Sequence, residues 1–340
     1  MKAAVFQGNR TITLEEVPDP APGADEVVIK MLGCGVCGSD AHIYTGVVQL
    51  ATPPVVLGHE IYGEIAEIGN DVKDLAVGRK VAVDPFIFCN KCYFCKRGEY
   101  RFCVSEDFVG YNHSGGFAQF VCVPQGNVFA HPGDLGLKQG ILIETVSTVV
   151  AGFRKLSPSP GISALVLGAG TVGLLWAQIL RHGGAGRIFQ TELIPMRREV
   201  AATNGADLVI SPEEDVESVV KEYHPFGVDV LVDATGSVDA IAPALPLLKP
   251  GGTFVSFGIC PEEERLSLSL NWFYRNQITF ITSRRPPREI SRALALVEKG
   301  TIDAENLVTG VYPLEDIETA FTRFEAEKNQ EIKMAIDPWI

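Results

Sequence analysis

In the first part of the chain apolar and polar residues alternate in short runs, at Thr11–Leu14, Glu26–Lys30, Ile61–Ile68, Lys80–Val83 and Gly116–Val123. A period of two marks strands that bury one face. Turn-forming stretches such as Pro18–Gly23 and Gly69–Asp71 separate the runs. Together they predict a small, barrel-like antiparallel unit. The pattern changes near Ser157–Gly161, after which apolar strands alternate with helices. Strands are expected at Ala164–Gly168, Ile188–Thr191, Asp207–Ile210, Val228–Asp233, Gly252–Gly258 and Gln277–Ile281, with a helix through Leu174–Leu180. Such alternation implies a parallel sheet covered on both faces. The segment from about Arg284 reads as two helices, Ile290–Lys299 and Leu314–Lys328, and an apolar end that returns to the first unit. The fold class is therefore α/β, with a β-rich domain over 1–150 joined by 284–340 and a doubly wound domain over 151–283.

Composition narrows the function classes. A chain of 340 residues can build two cores. Apolar residues make up 46% and charged residues 21%, the balance of an ordinary water-soluble domain. The net charge of −13 comes with no basic block, so no nucleic-acid partner is expected. Acidic stretches such as 212–217 and 262–265 read as solvated surface. No apolar run is long enough to cross a membrane, so no membrane association is expected. Met1–Phe6 has no signal-peptide pattern and enters an alternating run at once. A cytoplasmic location is the expectation.

Four of the eight cysteines, Cys89, Cys92, Cys95 and Cys103, lie in one short polar loop. Spacings of three, three and eight let a loop wrap a tetrahedral Zn²⁺. Free thiols so placed would oxidise or form strained pairs, and clustering of this kind points to metal in a reducing compartment. Four thiolates saturate zinc and leave no position for substrate, so this site is expected to be structural and the chemistry must lie elsewhere. Cys37, Ser39, Asp40 and His42 in one loop, and His59 and Glu60 in another, bring a thiolate, imidazoles and carboxylates to the β-rich domain.

Gly168-Ala-Gly170-Thr171-Val172-Gly173 is G-x-G-x-x-G placed after a buried strand and at the start of a helix. That is the setting in which it cradles a dinucleotide pyrophosphate on the helix N-terminus. Glu192 ends the next strand, where an acidic residue takes the adenosine ribose hydroxyls and repels a 2′-phosphate. NAD is expected. NADP remains the alternative, because Arg197 and Arg198 lie close by. Gly236 and Gly258 end later strands, where the nicotinamide half would lie.

These features combine with Gly115-Gly-Phe-Ala and the returning C-terminal segment. The chain so assembled resembles the zinc-dependent medium-chain dehydrogenases, in particular the sorbitol (polyol) and threonine dehydrogenase branch. The resemblance covers nearly the whole chain. It implies a GroES-like catalytic domain and a Rossmann domain, with the active site in the cleft between them. It implies that Cys37 and His59 bind a catalytic zinc with a third, carboxylate ligand. Glu144 matches the family's Glu-Pro position, although Thr145 replaces the Pro, and Glu60 competes for the role. The alcohol dehydrogenases have a Cys at the Glu144 position, so its absence favours the polyol-like branch. Two zinc ions per chain are implied, one catalytic and one structural. Zinc would acidify a substrate hydroxyl, hydride would pass to nicotinamide, and the proton would leave through Ser39 and His42, with Asp40 orienting an imidazole. Cys34 reads as a packed thiol; Tyr44, Tyr111, His113 and Arg275 are candidates to line the pocket.

The leading expectation is NAD-dependent oxidation of a secondary alcohol on a pentitol or hexitol. The alternatives are L-threonine or 2,3-butanediol oxidation and a phosphorylated polyol, because Asn271–Asn276 departs from the usual sorbitol dehydrogenase pattern. A redox-inactive nucleotide-binding protein would have lost ligands that are all present here. The resemblance further implies a homo-oligomer, tetramer or dimer.

Overall fold

The computed structural model describes residues 1–105, 107–131, 133–284, 288–326 and 331–340. The chain divides into two compact units, residues 1–147 with 287–300 and 304–340, and residues 148–286 with 301–303.

In the first unit the alternating runs form strands whose buried faces meet in one core. The main sheet runs in the order Val308–Pro313, Lys333–Asp337, Glu26–Val36, Glu60–Ile68, Lys80–Val83 and Val128–Ala130, with Phe120–Pro124 also paired to Glu26–Val36. Thr11–Glu16, Lys2–Gly8 and Val55–Val56 make a three-stranded sheet. Pairing is antiparallel except between Val308–Pro313 and Lys333–Asp337. The core includes Val27, Ile29, Met31, Ile61, Ile65, Val121, Phe117, Phe321 and Ile336, each contributing about 1.5–3 kcal/mol of burial. Register then places the chemistry. Gly35 pairs with Glu60 on one side and with Ala335 on the other. The ends of three strands thus bring Cys37, His59–Glu60 and Lys333 side by side.

The second unit is a six-stranded sheet in the order Leu208–Ile210, Arg187–Thr191, Ser163–Leu167, Val228–Asp233, Leu248–Ser256 and Thr279–Thr282. Every pairing in it is parallel. Ser163–Leu167 is buried at all five positions, as a strand with helices on both faces must be. In chain order the strands run 3-2-1-4-5-6, and the order reverses beside Ser163–Leu167, the switch point at which such sheets bind nucleotides. The α/β expectation, a GroES-like unit plus a Rossmann-like parallel sheet, agrees with this architecture.

Some boundaries differ from expectation. The strand expected at Gly116–Val123 occupies Phe120–Pro124. Gly115 and Gly116 instead pack on the backbone of Leu57 and Gly58, donating to Val56 O and Gly58 O at 2.8 Å. The helix expected over Leu314–Lys328 is described as Ile317–Ala326, and 327–330 lie outside the described residues. Among the described residues no helix is long and apolar enough to cross a membrane.

Candidate functional site

Helix Gly38–Thr45 starts directly after the strand that ends at Val36. Asp40 starts it: its Oδ2 accepts from the Cys37 N–H at 3.0 Å, a capping interaction. The other oxygen, Oδ1, lies 3.2 Å from His59 Nδ1, with Asp40 fully buried. With Nδ1–H donating to that carboxylate, Nε2 is left as the acceptor. Burial opposes a charge on His59, but Asp40, Tyr111 and Cys37 outweigh it and raise its pKa well above the ordinary value.

Cys37 Sγ, a His59 ring nitrogen and a Glu60 carboxylate oxygen all lie within 4.8 Å of one another. One soft, one borderline and one hard ligand at this separation suit Zn²⁺ and leave a fourth position open. Ser39 Oγ donates to Cys37 Sγ at 3.2 Å. His42 is on the same helix and exposed. Glu144, in the first turn of helix Ile143–Leu156, is not a member of the close set. Burial pushes its carboxyl up to about 7, with His59 opposing and Glu60 adding to the shift. Cys34 is buried, its thiol raised by burial, and also lies outside the set.

The four sulfurs of Cys89, Cys92, Cys95 and Cys103 form a second such group within 4.8 Å. Zn–S bonds of about 2.3 Å in a tetrahedron put sulfurs ~3.8 Å apart, and Cys89 Sγ and Cys95 Sγ are 4.0 Å apart. Backbone N–H groups of Cys89 and Cys95 donate to Cys103 and Cys92 sulfurs at 3.4 Å each. Backbone donors from Cys95 and Val104 pull the Cys92 thiol down to about 6, while burial pushes that of Cys95 up to about 12. The donor set fits a closed metal site.

In the second unit Gly168 and Gly170 turn the chain into helix Thr171–His182, with Thr171 and Val172 in its first turn. Gly168 has φ +90°, and a Cβ on Gly173 would overlap Gly168 O. Both positions therefore require glycine. Gly236 and Gly258 pack against each other at the ends of neighbouring strands. Glu192 is already engaged: Oε2 accepts from Ala169 N–H at 2.7 Å and Oε1 from Ile194 N–H at 2.9 Å. It ties the glycine turn to its own strand end, a role without a local sequence signal. Arg198 Nη1 donates to the carbonyls of Glu192 and Leu193. The Arg197 guanidinium approaches Gly170, and burial lowers its pKa against the pull of Glu192.

The four pocket candidates separate. Tyr111 stacks on Phe108 with centroids 4.2 Å apart and meets the His59 ring edge-on at 5.6 Å. Tyr44 instead packs on Phe6 and Phe321 in the core. His113 pairs with Asp107 at 3.5 Å near the surface. Arg275 is exposed on helix Leu270–Asn276 of the other unit. Sequence reasoning missed Lys333, a buried cation paired with Glu60. A single Lys in the apolar run Ile332–Ile336 was the available signal.

Residues 23–133 match the family model for the alcohol dehydrogenase GroES-like domain, and residues 171–299 that for zinc-binding dehydrogenase. The chain is 33% identical over 344 residues to sorbitol dehydrogenase of Bacillus subtilis (strain 168), covering 99% of this chain and 97% of that protein. It is 32% identical over 343 residues to D-arabinitol dehydrogenase 1 of Uromyces fabae, covering 99% and 97%. A Sinorhizobium meliloti 1021 protein assigned to the zinc-binding dehydrogenases, its structure bound to NADP, superposes with a TM-score of 0.95 at 29% identity over 99% of both chains.

Proposed function

The chain belongs to the zinc-dependent medium-chain dehydrogenases, and from that premise we propose that it oxidises a secondary alcohol of a pentitol or hexitol to the ketose, with NAD as hydride acceptor. The observation that carries this reading is the Cys37–His59–Glu60 set in one unit, in a chain whose other unit presents a glycine turn at a parallel-sheet switch point. Relatives named for sorbitol and D-arabinitol support the substrate class.

In this reading Cys37, His59 and Glu60 hold a catalytic zinc and the four-cysteine lobe a structural one, two per chain. Zinc at the first site supplies Lewis acidity that favours loss of the substrate hydroxyl proton. Asp40, accepting from Nδ1–H of His59, would leave Nε2 as the nitrogen able to hold a metal. The Ser39 hydroxyl, 3.2 Å from Cys37 Sγ, would accept that proton as it releases its own toward His42, which is exposed on the same helix and would return a proton to water. The metal functions belong to 1–150 with 284–340 and the nucleotide functions to 151–283. None of the eight cysteines is joined in a disulfide, consistent with five of them serving as zinc ligands in a reducing, cytoplasmic setting.

Glu192 supports NAD, because a buried carboxylate beside the glycine turn opposes a 2′-phosphate. The test is reduction of NAD and of NADP against pentitols, hexitols, polyol phosphates, L-threonine and 2,3-butanediol. Turnover of a polyol to a ketose with NAD preferred is the expected result, and Glu192→Ala should raise the NADP:NAD ratio of kcat/KM about tenfold. Turnover of threonine or butanediol alone would remove the polyol reading, and an unchanged ratio would move the cofactor determinant elsewhere.

The proposal includes a homo-oligomer. Among the described residues strand Thr279–Thr282 pairs on one side only, and Phe280, Leu270 and Tyr274 near it are 49%, 82% and 81% exposed. An open apolar edge of this kind calls for cover. Light scattering should give a multiple of the chain mass that Phe280→Asp lowers; a monomer in the unsubstituted protein would contradict it.

A further inference from the structure

The Glu60 carboxylate is held from two sides. Thr145 Oγ1 donates to Oε1 at 2.7 Å, and the Lys333 ammonium pairs with Oε2. All three residues are buried, at 1% exposure for Glu60, 3% for Lys333 and 7% for Thr145. The fold makes room for the pair: a Cβ on Gly35 would overlap Glu60 Oε2 and crowd the Lys333 side chain. The two donors differ in kind. An ammonium on a flexible stem is a point charge with rotatable donors, so alone it neutralises the carboxylate without fixing its plane. A hydroxyl on a β-branched side chain, stiff at χ1 and set on a helix, gives direction. A carboxylate offers about four acceptor sites, so two donors leave sites for a metal.

We propose that Thr145 is a positioning residue for the catalytic metal, its hydroxyl fixing the Glu60 carboxylate so that Glu60, and not the adjacent Glu144, completes the Cys37–His59 set. The proposal rests on the reading of that set as the metal site. It assigns a role to a side chain that touches neither metal nor substrate, and separates two carboxylates that the sequence leaves equivalent.

The experiment uses the full-length protein with Co²⁺ in place of zinc, and compares it with Thr145→Val and Thr145→Ser. Val keeps the shape and removes the hydroxyl; Ser restores the hydroxyl. The readouts are the Cys37-dependent part of the visible absorption, taken as the difference from Cys37→Ala, and the Co²⁺ affinity of that site by chelator competition. Thr145→Val should shift the spectrum and weaken Co²⁺ about tenfold, as loss of a ligand's supporting hydrogen bond does. Thr145→Ser should match the unsubstituted protein. Glu60→Gln should weaken Co²⁺ by at least about tenfold and Glu144→Gln by less than about threefold. A Thr145→Val protein with unchanged spectrum and affinity overturns the proposal, even if its melting temperature falls, because the hydroxyl then serves the fold alone. A reversed order of the two carboxylates also overturns it. If Cys37→Ala leaves the spectrum untouched, the metal reading itself fails and the proposal with it.

Discussion

Replacing Cys37 with Ala should lower kcat/KM by on the order of 10³-fold or more while leaving the melting temperature nearly unchanged. Cys37 is half-buried, and the side-chain hydrogen bond it makes is from Ser39. Its loss costs the fold about 1 kcal/mol. The backbone N–H of residue 37 keeps its bond to Asp40, so helix Gly38–Thr45 keeps its cap. What disappears is the only sulfur in the Cys37–His59–Glu60 set. Steady-state kinetics beside a melting curve check this. Activity retained at a tenth or more of the original would take Cys37 out of the site.

The opposite outcome is expected at the other cluster. Cys95 is 5% exposed and one of four converging sulfurs. The lobe around it has little core of its own: Tyr93, Phe102 and Val104 are exposed. In the proposed reading its order comes from a bound zinc, whose binding energy is folding energy in such loops. Cys95→Ser should lower stability by about 3–5 kcal/mol, or roughly 10 °C in melting temperature. Whatever protein stays folded should keep its Cys37-site metal. An unshifted melting curve with full zinc content would count against a structural role for the lobe.

Most of the fold could be read from the chain because its signals are local. The spacing of Cys89, Cys92, Cys95 and Cys103 brings four sulfurs together within one loop. The glycine turn and the buried strand before it are contiguous, and the apolar strands of the second unit follow in the order that the alternating pattern predicts. Helix Gly38–Thr45 carried no such signal. It lacks an apolar stripe and is started by the Asp40 side chain on the Cys37 N–H, and the other oxygen of the same carboxylate holds His59. The choice between Glu60 and Glu144 was not legible for a different reason. Glu60 lies near Cys37 and His59 through the strand register that pairs Gly35 with both Glu60 and Ala335, and its carboxylate is held by Thr145 and Lys333, both far along the chain. Glu192 stood where a ribose ligand was expected, but its bonds to Ala169 and Ile194 appear only once two strand ends are adjacent. Tyr44, a pocket candidate by sequence, packs its ring on Phe6 and Phe321, contacts that form only once distant segments meet.

The central claim is that one chain holds two zinc ions with separate duties, and metal analysis of purified protein tests it most directly. The unsubstituted chain should contain two zinc per chain, and Cys37→Ala one, with its melting curve intact. A single zinc in the unsubstituted protein, or two in Cys37→Ala, would contradict the account.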